Sequence, residues 1–197
     1  MVQAEEKGKR QQGRRRLTAH DWADAALAAM AERGLAAVAV EPLAARLGTT
    51  KGSFYWHFTN REALIEAALE RWEEICTEEI ISAVEAEPDP ERRLRTLLRQ
   101  ATTSAADDPL EVSLLATADH PQVAAVLGRV TERRIGYLAR LFEDLGFPGP
   151  EARTRGLMAY SSYLGHTQLA HAVPRALPQG AQSDAYLESV MDTLLRR

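Results

Sequence analysis

The sequence predicts an all-α protein of nine helices. Over most of the chain, apolar residues recur at the i, i+3, i+4 and i+7 spacing of a helix, and glycines and prolines separate these periodic stretches. Strand-like patterning is almost absent, because the one candidate, "LAAVAV" at residues 35–40, is short and rich in alanine. No internal repeat is visible in the sequence.

The first two helices have clear start and stop signals. Thr18 is a suitable N-cap for the first helix, with Asp21 at the capping-box position, and Gly34 is placed to end it. A short second helix is predicted around residues 41–47, and Gly48 stops it.

The third and fourth helices follow closely. The third begins after Thr49 or Thr50, since either residue can cap it, and it ends by about His57. Thr59 and Glu62 form a T-x-x-E capping box, which predicts the start of a long fourth helix that runs to the next prolines.

The remaining five helices begin at prolines or at capping residues. A proline in the first turn costs nothing, because its missing N–H has no partner there in any case. The five predicted starts are Asp89-Pro90, Asp108-Pro109 with Glu111 completing a capping box, Pro121, a position near residue 150, and Ser183.

Composition indicates an ordinary soluble protein with an uneven charge distribution. Of the 197 residues, 45% are hydrophobic and 26% are charged, and no apolar run has the length of a membrane span, so we expect a cytoplasmic protein that does not bind membranes. The net charge is −4, yet residues 1–61 hold ten Lys and Arg against six Asp and Glu. A basic head on an acidic body is compatible with nucleic-acid binding, or with a solvated basic tail.

The run "FYWHF" at residues 54–58 crowds four aromatic rings and an imidazole into five positions. A helix buries a stripe only about 100° wide, so these rings cannot all face one core. Phe54 and Phe58 share a face, being four residues apart, and can join Trp22, Leu43 and Leu47 in a small core. The residues between them must point elsewhere.

The other residues of this helix suit DNA. Three short helices, with a glycine-bearing turn between the second and third, predict a helix-turn-helix unit whose third helix enters the major groove. Lys51 can neutralise a phosphate, Tyr55 and His57 can donate hydrogen bonds, and Trp56 can pack on a sugar or a thymine methyl. In the alternative reading, Tyr55 and Trp56 pack against the body and Lys51 lies on an ordinary solvated face.

Residues 17–65 resemble the DNA-binding segment of the TetR family of transcriptional regulators. The agreement lies in "GLAAVAVEPLAARLGTTKGSFYWHFTNREALI" and includes, in order, Gly34, Leu43-Ala44, Gly48, the K-G-S triplet 51–53, Tyr55, His57-Phe58 and Leu64. The resemblance implies that DNA is contacted by Thr50, Lys51, Gly52, Ser53, Tyr55, Trp56 and His57, with Arg61 as a backbone clamp. The sequence departs from the family pattern at Ala39, Glu41 and Pro42, and Glu41 would repel a phosphate.

The resemblance also implies a domain organisation and a dimer. Residues 1–16 would be a flexible basic arm, 17–61 the helix-turn-helix domain and 62–197 a helical domain for effector binding and dimerisation. The last two helices would form a four-helix bundle with a second subunit, although their apolar stripes could instead complete the monomer core. The candidate interface residues are Leu157, Met158, Leu164, Leu169, Leu187, Val190, Met191 and Leu194.

A helical effector domain needs a pocket between its helices. The candidate lining residues combine aromatic walls with a few polar groups, and each could equally be ordinary core: Trp72, Cys76, Leu97, Gln100, Leu115, Tyr137, Tyr160, Tyr163 and His166. They favour an apolar or aromatic small molecule. No metal or other cofactor is expected, since no cluster has metal-ligand spacing.

Taken together, the resemblance implies a ligand-responsive regulator, in the family's commoner mode a repressor, that binds a palindromic operator as a homodimer and is released by a small-molecule effector. Tilting of the fourth helix would change the distance between the two recognition helices. A helical enzyme using Cys76 with His166, or Glu73 and Glu74, is one alternative, but no catalytic motif supports it. A DNA-independent interaction module is the other, and it leaves residues 49–61 unexplained.

Overall fold

A computed structural model describes residues 16–197, apart from the side chains of residues 105–107 and 181. This part of the chain contains nine helices and no strand, which confirms the predicted fold class. Residues 1–15, most of the predicted basic arm, lie outside the described residues.

Three of the nine helices form the N-terminal unit, and the fourth leads away from it. The long fourth helix is continuous, although five of its residues have π-helical hydrogen bonding. The bounds are α1 Ala19–Arg33, α2 Val40–Arg46, α3 Lys51–Phe54, and α4 composed of Arg61–Glu73, the π segment Glu74–Glu78 and Glu79–Val84.

The other five helices complete the body. Short 3₁₀ turns at Leu35–Ala37 and Pro174–Ala176 follow α1 and α8 respectively. The five bounds are α5 Pro90–Asp107, α6 Leu110–Leu115, α7 Pro121–Asp144, α8 Gly149–Ala172 and α9 Ala181–Leu195.

The caps explain why several helices begin where they do. Thr18 and Asp21 form the predicted reciprocal capping box, and Gly34 ends α1 with a φ of 75°. The predicted Thr59–Glu62 box is wrong, because the Asn60 side chain accepts from the N–H of Ala63, 2.8 Å away, and caps α4 instead.

Three further helices differ from the sequence prediction in a cap or a boundary. Thr50 is at the N-cap of α3 but its side chain makes no capping hydrogen bond, and α3 is a single four-residue turn of helix rather than a helix extending to about His57. The last helix begins at Ala181, after Gly180, rather than at Ser183. Glu111 does not cap α6, because it is buried and binds other helices.

Apolar side chains form two clusters. The first contains α1 to α3, the first half of α4, α6 and the first half of α7; the second contains the end of α4, α5, the second half of α7, α8 and α9. α7 and α8 approach closely at Gly156, where a Cβ would lie 3.0 Å from the Ala139 nitrogen. No helix among residues 16–197 has the length and apolarity that crossing a bilayer requires.

Candidate nucleic-acid interface and internal cavity

The third helix and the turn that follows it are fixed to the N-terminal unit by Phe54 and Phe58. Phe54 is fully buried, with its ring centroid 5.4 Å from that of Trp22 and 5.5 Å from that of Phe58. Leu43 is buried in the same cluster and Leu47 packs against it. This is the small core that the i, i+4 spacing predicts.

The residues between the phenylalanines face solvent. The exposed fraction is 57% for Tyr55 and 82% for Trp56, values that large aromatic side chains rarely reach unless they have a partner surface. This exposure contradicts the alternative in which both rings pack against the body. Of the other predicted contact residues, Thr50, Lys51 and Gly52 are exposed and Ser53 and His57 are half-buried.

An ion pair joins the second and third helices on this surface. Lys51 Nζ lies 3.0 Å from Glu41 Oε1, and both side chains are largely exposed. The hydrogen bond and charge of Glu41 raise the pKa of Lys51. The carboxylate that would repel a phosphate therefore binds the lysine that would attract one.

Arg61 binds the N-terminal unit itself. Its Nε donates to the Val38 carbonyl at 2.6 Å and its Nη2 to the Leu35 carbonyl at 3.0 Å, while Nη1 lies 3.8 Å from Glu62. The Arg61 guanidinium thus binds the backbone that connects α1 to α2. The Arg61 side chain is about one-third exposed.

A groove runs beside α3, and it includes a residue that was not singled out from the sequence. Its lining includes Arg16 and Leu17, which precede α1, together with Thr50, Ser53 and His57. Arg16 ends the run "RRR" at residues 14–16, which was interpreted only as part of the arm. The groove brings a guanidinium to the edge of the exposed α3 surface.

A second concave site lies inside the body, between α4, α5, α6, α7 and α8. The cavity has a volume of about 120 Å³, and its walls are mainly aromatic and aliphatic. The structure brings six of the predicted residues into this wall: Trp72, Cys76, Leu97, Tyr137, Tyr160 and Tyr163. Gln100 and Leu115 are exposed outside the cavity, and His166 lines a smaller neighbouring one against Tyr186.

One end of the cavity carries a buried ion pair. Arg134 Nη1 lies 2.7 Å from Glu111 Oε1, and the two side chains are only 12% and 8% exposed. Tyr163 donates its hydroxyl to Glu111 Oε2 at 2.6 Å. The sequence analysis missed this pair, although Arg134 interrupts the apolar stripe of α7 at a spacing of four from Val130 and Leu138.

Arginines of α7 also hold α4 in place. Arg134 donates to Thr77 Oγ1 at 3.0 Å and to the Cys76 carbonyl at 2.9 Å, both within the π segment. Arg129 and Arg133 bind the carboxylates of Glu73 and Glu78. Three arginines of one helix therefore fix the segment of α4 that lines the cavity.

Burial suppresses ionisation of two groups in the cavity wall. Burial raises the pKa of the Cys76 thiol to about 11. Burial and the charge of Glu111 raise the pKa of Tyr163, which keeps its hydroxyl a donor to that carboxylate. No cluster of His, Cys, Asp and Glu among the described residues could hold a metal ion.

Sequence and structure comparisons agree with this geometry. Residues 23–68 match the model of the bacterial regulatory proteins of the tetR family. A transcriptional regulator from Rhodococcus sp. Rha1 has a TM-score of 0.71 at 22% identity, covering 91% of this chain and 94% of that one. Among curated proteins, none matches this sequence.

Two further solved structures have the same fold. SmeT, the repressor of the Stenotrophomonas maltophilia multidrug efflux pump SmeDEF, has a TM-score of 0.67 at 22% identity, covering 91% of this chain and 89% of that one. FadR from Bacillus subtilis, a transcriptional regulator solved in complex with stearoyl-CoA, has a TM-score of 0.65 at 17% identity, covering 91% of this chain and 98% of that one.

The fold, the exposed third helix and the matched segment define a helix-turn-helix DNA-binding protein with a cavity-bearing helical body. The matched segment, residues 23–68, is similar to the DNA-binding unit of the bacterial regulatory proteins of the tetR family, and the chain as a whole has the fold of the solved regulators.

Proposed function

We propose that this regulator is a ligand-responsive repressor that binds a palindromic operator as a homodimer and is released by an apolar or aromatic effector. The observation that carries the proposal is the arrangement of α3, where Phe54 is fully buried while Tyr55 and Trp56 are 57% and 82% exposed. The helix is thereby held firmly from one side and offers its other side to a partner.

The chemistry of the exposed side is suited to a DNA groove. Lys51 supplies a positive charge, Tyr55, Ser53 and His57 supply hydrogen-bond donors, and Gly52 allows close backbone approach. Thr50 and Trp56 complete the proposed operator contact. We place Arg61 at its edge, where it positions α2 through the backbone of residues 35 and 38.

Dimerisation is proposed through α8 and α9. Three large apolar side chains of α8 are exposed, Leu157 by 50%, Met158 by 49% and Leu169 by 40%, and exposed apolar surface of this kind suits a protein partner. Leu164, Leu187 and Val190 are half-buried beside them, whereas Met191 and Leu194 are buried in the monomer core. A two-fold dimer would present its recognition helices to half-sites about 34–36 Å apart.

We propose that residues 17–61 bind DNA and that residues 62–197 bind the effector and form the dimer. The cavity supports the second assignment, because it is concave, mainly apolar and contains a few polar groups at one end. The complex of the Bacillus subtilis relative with stearoyl-CoA is in keeping with an apolar ligand in this fold.

Two contacts offer routes from the cavity to the DNA-binding unit. Trp72 lines the cavity and is also buried in the cluster that contains Trp22 and Phe54. On α6, which carries Glu111, Ser113 donates its hydroxyl to the Met30 carbonyl at 2.8 Å, at the end of α1. We propose that an effector tilts α4 and changes the separation of the recognition helices. Identical separations in crystals with and without effector would contradict this mechanism.

Band shifts on DNA from the protein's own promoter region test the proposal. Log affinity should fall with log salt by about 0.9 per neutralised phosphate. Lys51→Ala and Tyr55→Ala should weaken operator binding, by roughly 1–3 kcal/mol where a base contact is lost, without changing the melting temperature. Arg153→Ala, an exposed body residue paired with Glu132, is the matched control. Unchanged operator affinity in both α3 variants would defeat the assignment.

A further inference from the structure

The polar end of the cavity has a particular balance of donors and acceptors. Arg134 cannot lose its proton in a protein and has five N–H donors. Within the described part of the chain, three of them have partners, namely Thr77, Glu111 and the Cys76 carbonyl. The other two belong to the terminal nitrogens of a guanidinium that lines the cavity.

The acceptors at this end are already engaged. One oxygen of Glu111 accepts from Arg134 and the other accepts from the Tyr163 hydroxyl. The hydroxyl of Thr77 accepts from Arg134 as well. A ligand therefore meets two unengaged N–H groups of a charged donor beside acceptors that each already accept one hydrogen bond, which favours a ligand that presents an acceptor atom.

The charge at this end is also already balanced. Arg134 and Glu111 neutralise each other in a site where both are nearly buried. A second charge brought beside them would lose its hydration without gaining a counter-ion, which costs several kcal/mol. Asp108, the remaining charged residue of the lining, is exposed and adds negative charge at the rim, which further disfavours an anion.

The aromatic rings around Arg134 argue against a cationic ligand. The guanidinium carbon lies 5.6 Å from the centre of the Trp72 ring and 5.8 Å from that of Tyr163. Arg134 therefore occupies positions that a cationic ligand would need for cation–π contact. The rest of the wall is mainly apolar, including Ile80, Leu97 and Leu138, and its other polar groups are the uncharged hydroxyls of Ser104, Tyr137 and Tyr160 and the Asp108 carboxylate at the rim.

We infer that the cavity recognises an uncharged, mainly apolar or aromatic molecule whose one essential polar group is an oxygen acceptor bound by Arg134. This inference rests on the proposed function in taking the cavity as the effector site. A ketone, ester or amide carbonyl satisfies the spare donors and leaves the Arg134–Glu111 pair intact.

Four naphthalene probes of similar size distinguish a neutral ligand with an acceptor oxygen from an apolar, an anionic and a cationic ligand. Calorimetry on the full chain at neutral pH compares 1-acetylnaphthalene, 1-ethylnaphthalene, 1-naphthoate and 1-naphthylmethylammonium. The ketone should bind about tenfold more tightly than the hydrocarbon, as expected for a hydrogen bond to a charged donor, and both ions should bind more weakly than the ketone. Equal binding of ketone and hydrocarbon, tighter binding of either ion, or no binding of the neutral probes overturns the inference.

A matched pair of variants locates the acceptor site. Arg134→Lys keeps a cation beside Glu111 but loses the planar donor fork, so the preference for ketone over hydrocarbon should fall to within about twofold. Arg129→Lys lies on the same helix, outside the cavity lining, and should retain the full preference. If Arg134→Lys does not fold, the order of the affinities of the four probes for the unchanged protein still tests the inference.

Release of promoter DNA by the same probes separates this inference from the proposed function. Ketone-selective binding without DNA release would contradict ligand-responsive repression and leave the acceptor site standing. Tight binding of 1-naphthoate with DNA release would overturn the acceptor site and leave ligand-responsive repression standing.

Discussion

Lys51 Nζ lies 3.0 Å from Glu41 Oε1, so the one lysine of the candidate DNA surface is paired within the protein. The pair connects α2 to α3 across the helix-turn-helix unit. A phosphate that binds Lys51 must compete with this carboxylate, which lowers the affinity for any phosphate that is not well placed. Glu41 therefore favours well-placed phosphates over poorly placed ones.

Replacing Glu41 with glutamine removes this competition. We expect Glu41→Gln to tighten binding to random-sequence DNA by up to about fivefold, the usual range for an exposed ion pair, and to steepen the salt dependence. Filter binding across salt concentrations measures both quantities. Glu132→Gln, which breaks an exposed pair in the body, serves as the control. Weaker binding by the Glu41 variant would show that the pair positions Lys51 rather than restrains it.

Phe54 and Trp56 should respond differently to truncation, although they are only two positions apart. Phe54→Ala removes a fully buried ring and should cost about 3–5 kcal/mol of unfolding free energy. Trp56→Ala removes a ring that is 82% exposed and should change stability by less than about 0.5 kcal/mol, while weakening DNA binding. Urea denaturation measures the first effect. Similar losses of stability in both variants would contradict the arrangement in which Phe54 is buried and Trp56 is exposed.

Local sequence signals were sufficient to predict the all-α fold class and the buried face that Phe54 and Phe58 share. The i, i+4 spacing of Phe54 and Phe58 predicted a shared core face, and the Thr18–Asp21 box was read from four adjacent residues. Asn60 was missed because Thr59 and Asn60 are both good caps, and only the backbone conformation decides between them.

Contacts between distant residues account for what the sequence could not predict. Glu111 has the spacing of a capping residue, yet it binds Arg134 and Tyr163, which lie 23 and 52 residues away. Gln100 lies two residues after Leu98, a lining residue, but points outside the cavity. The rotation of each helix about its axis decides such cases, and it is set by packing of the whole body.

Gly156 should be the least replaceable glycine of the helix pair α7 and α8. An added Cβ would lie 3.0 Å from the Ala139 nitrogen and 3.1 Å from the Ile135 carbonyl oxygen, both backbone atoms. We expect Gly156→Ala to lose about 1–3 kcal/mol of stability through overpacking. Gly128→Ala, with no atom within 4 Å of its Cβ, should instead gain about 0.5–1 kcal/mol. Thermal melts compare the two, and a stabilised Gly156→Ala would contradict the close approach.

The Cys76 thiol should react slowly in the folded protein. Because burial raises its pKa to about 11, only about a thousandth of the thiol is thiolate at pH 8, against about a tenth at the ordinary value of 9.0. Alkylation by iodoacetamide should therefore be about a hundredfold slower than in urea. A rate in the folded protein equal to that in urea would contradict the buried environment.

The exposed residues of α8 provide a test of the dimer. Leu157→Glu would place two carboxylates in a two-fold interface and should convert the protein to monomer, because burying each charge costs several kcal/mol. Leu115→Glu changes an exposed leucine on α6 and should leave the assembly unchanged. Analytical ultracentrifugation distinguishes the two. A dimeric Leu157 variant would place the interface elsewhere.

The first apolar cluster does not end at residue 61. Trp22, Phe54 and Leu64 are buried together with Leu110 and Leu114 of α6 and with Val123, Val126, Leu127 and Val130 of α7. The proposed DNA-binding segment therefore does not have a self-contained core, because a fragment ending after Arg61 would leave one side of α1 exposed. A chimera that exchanges operator specificity with a relative must carry over the matching surfaces of α4, α6 and α7, or redesign them.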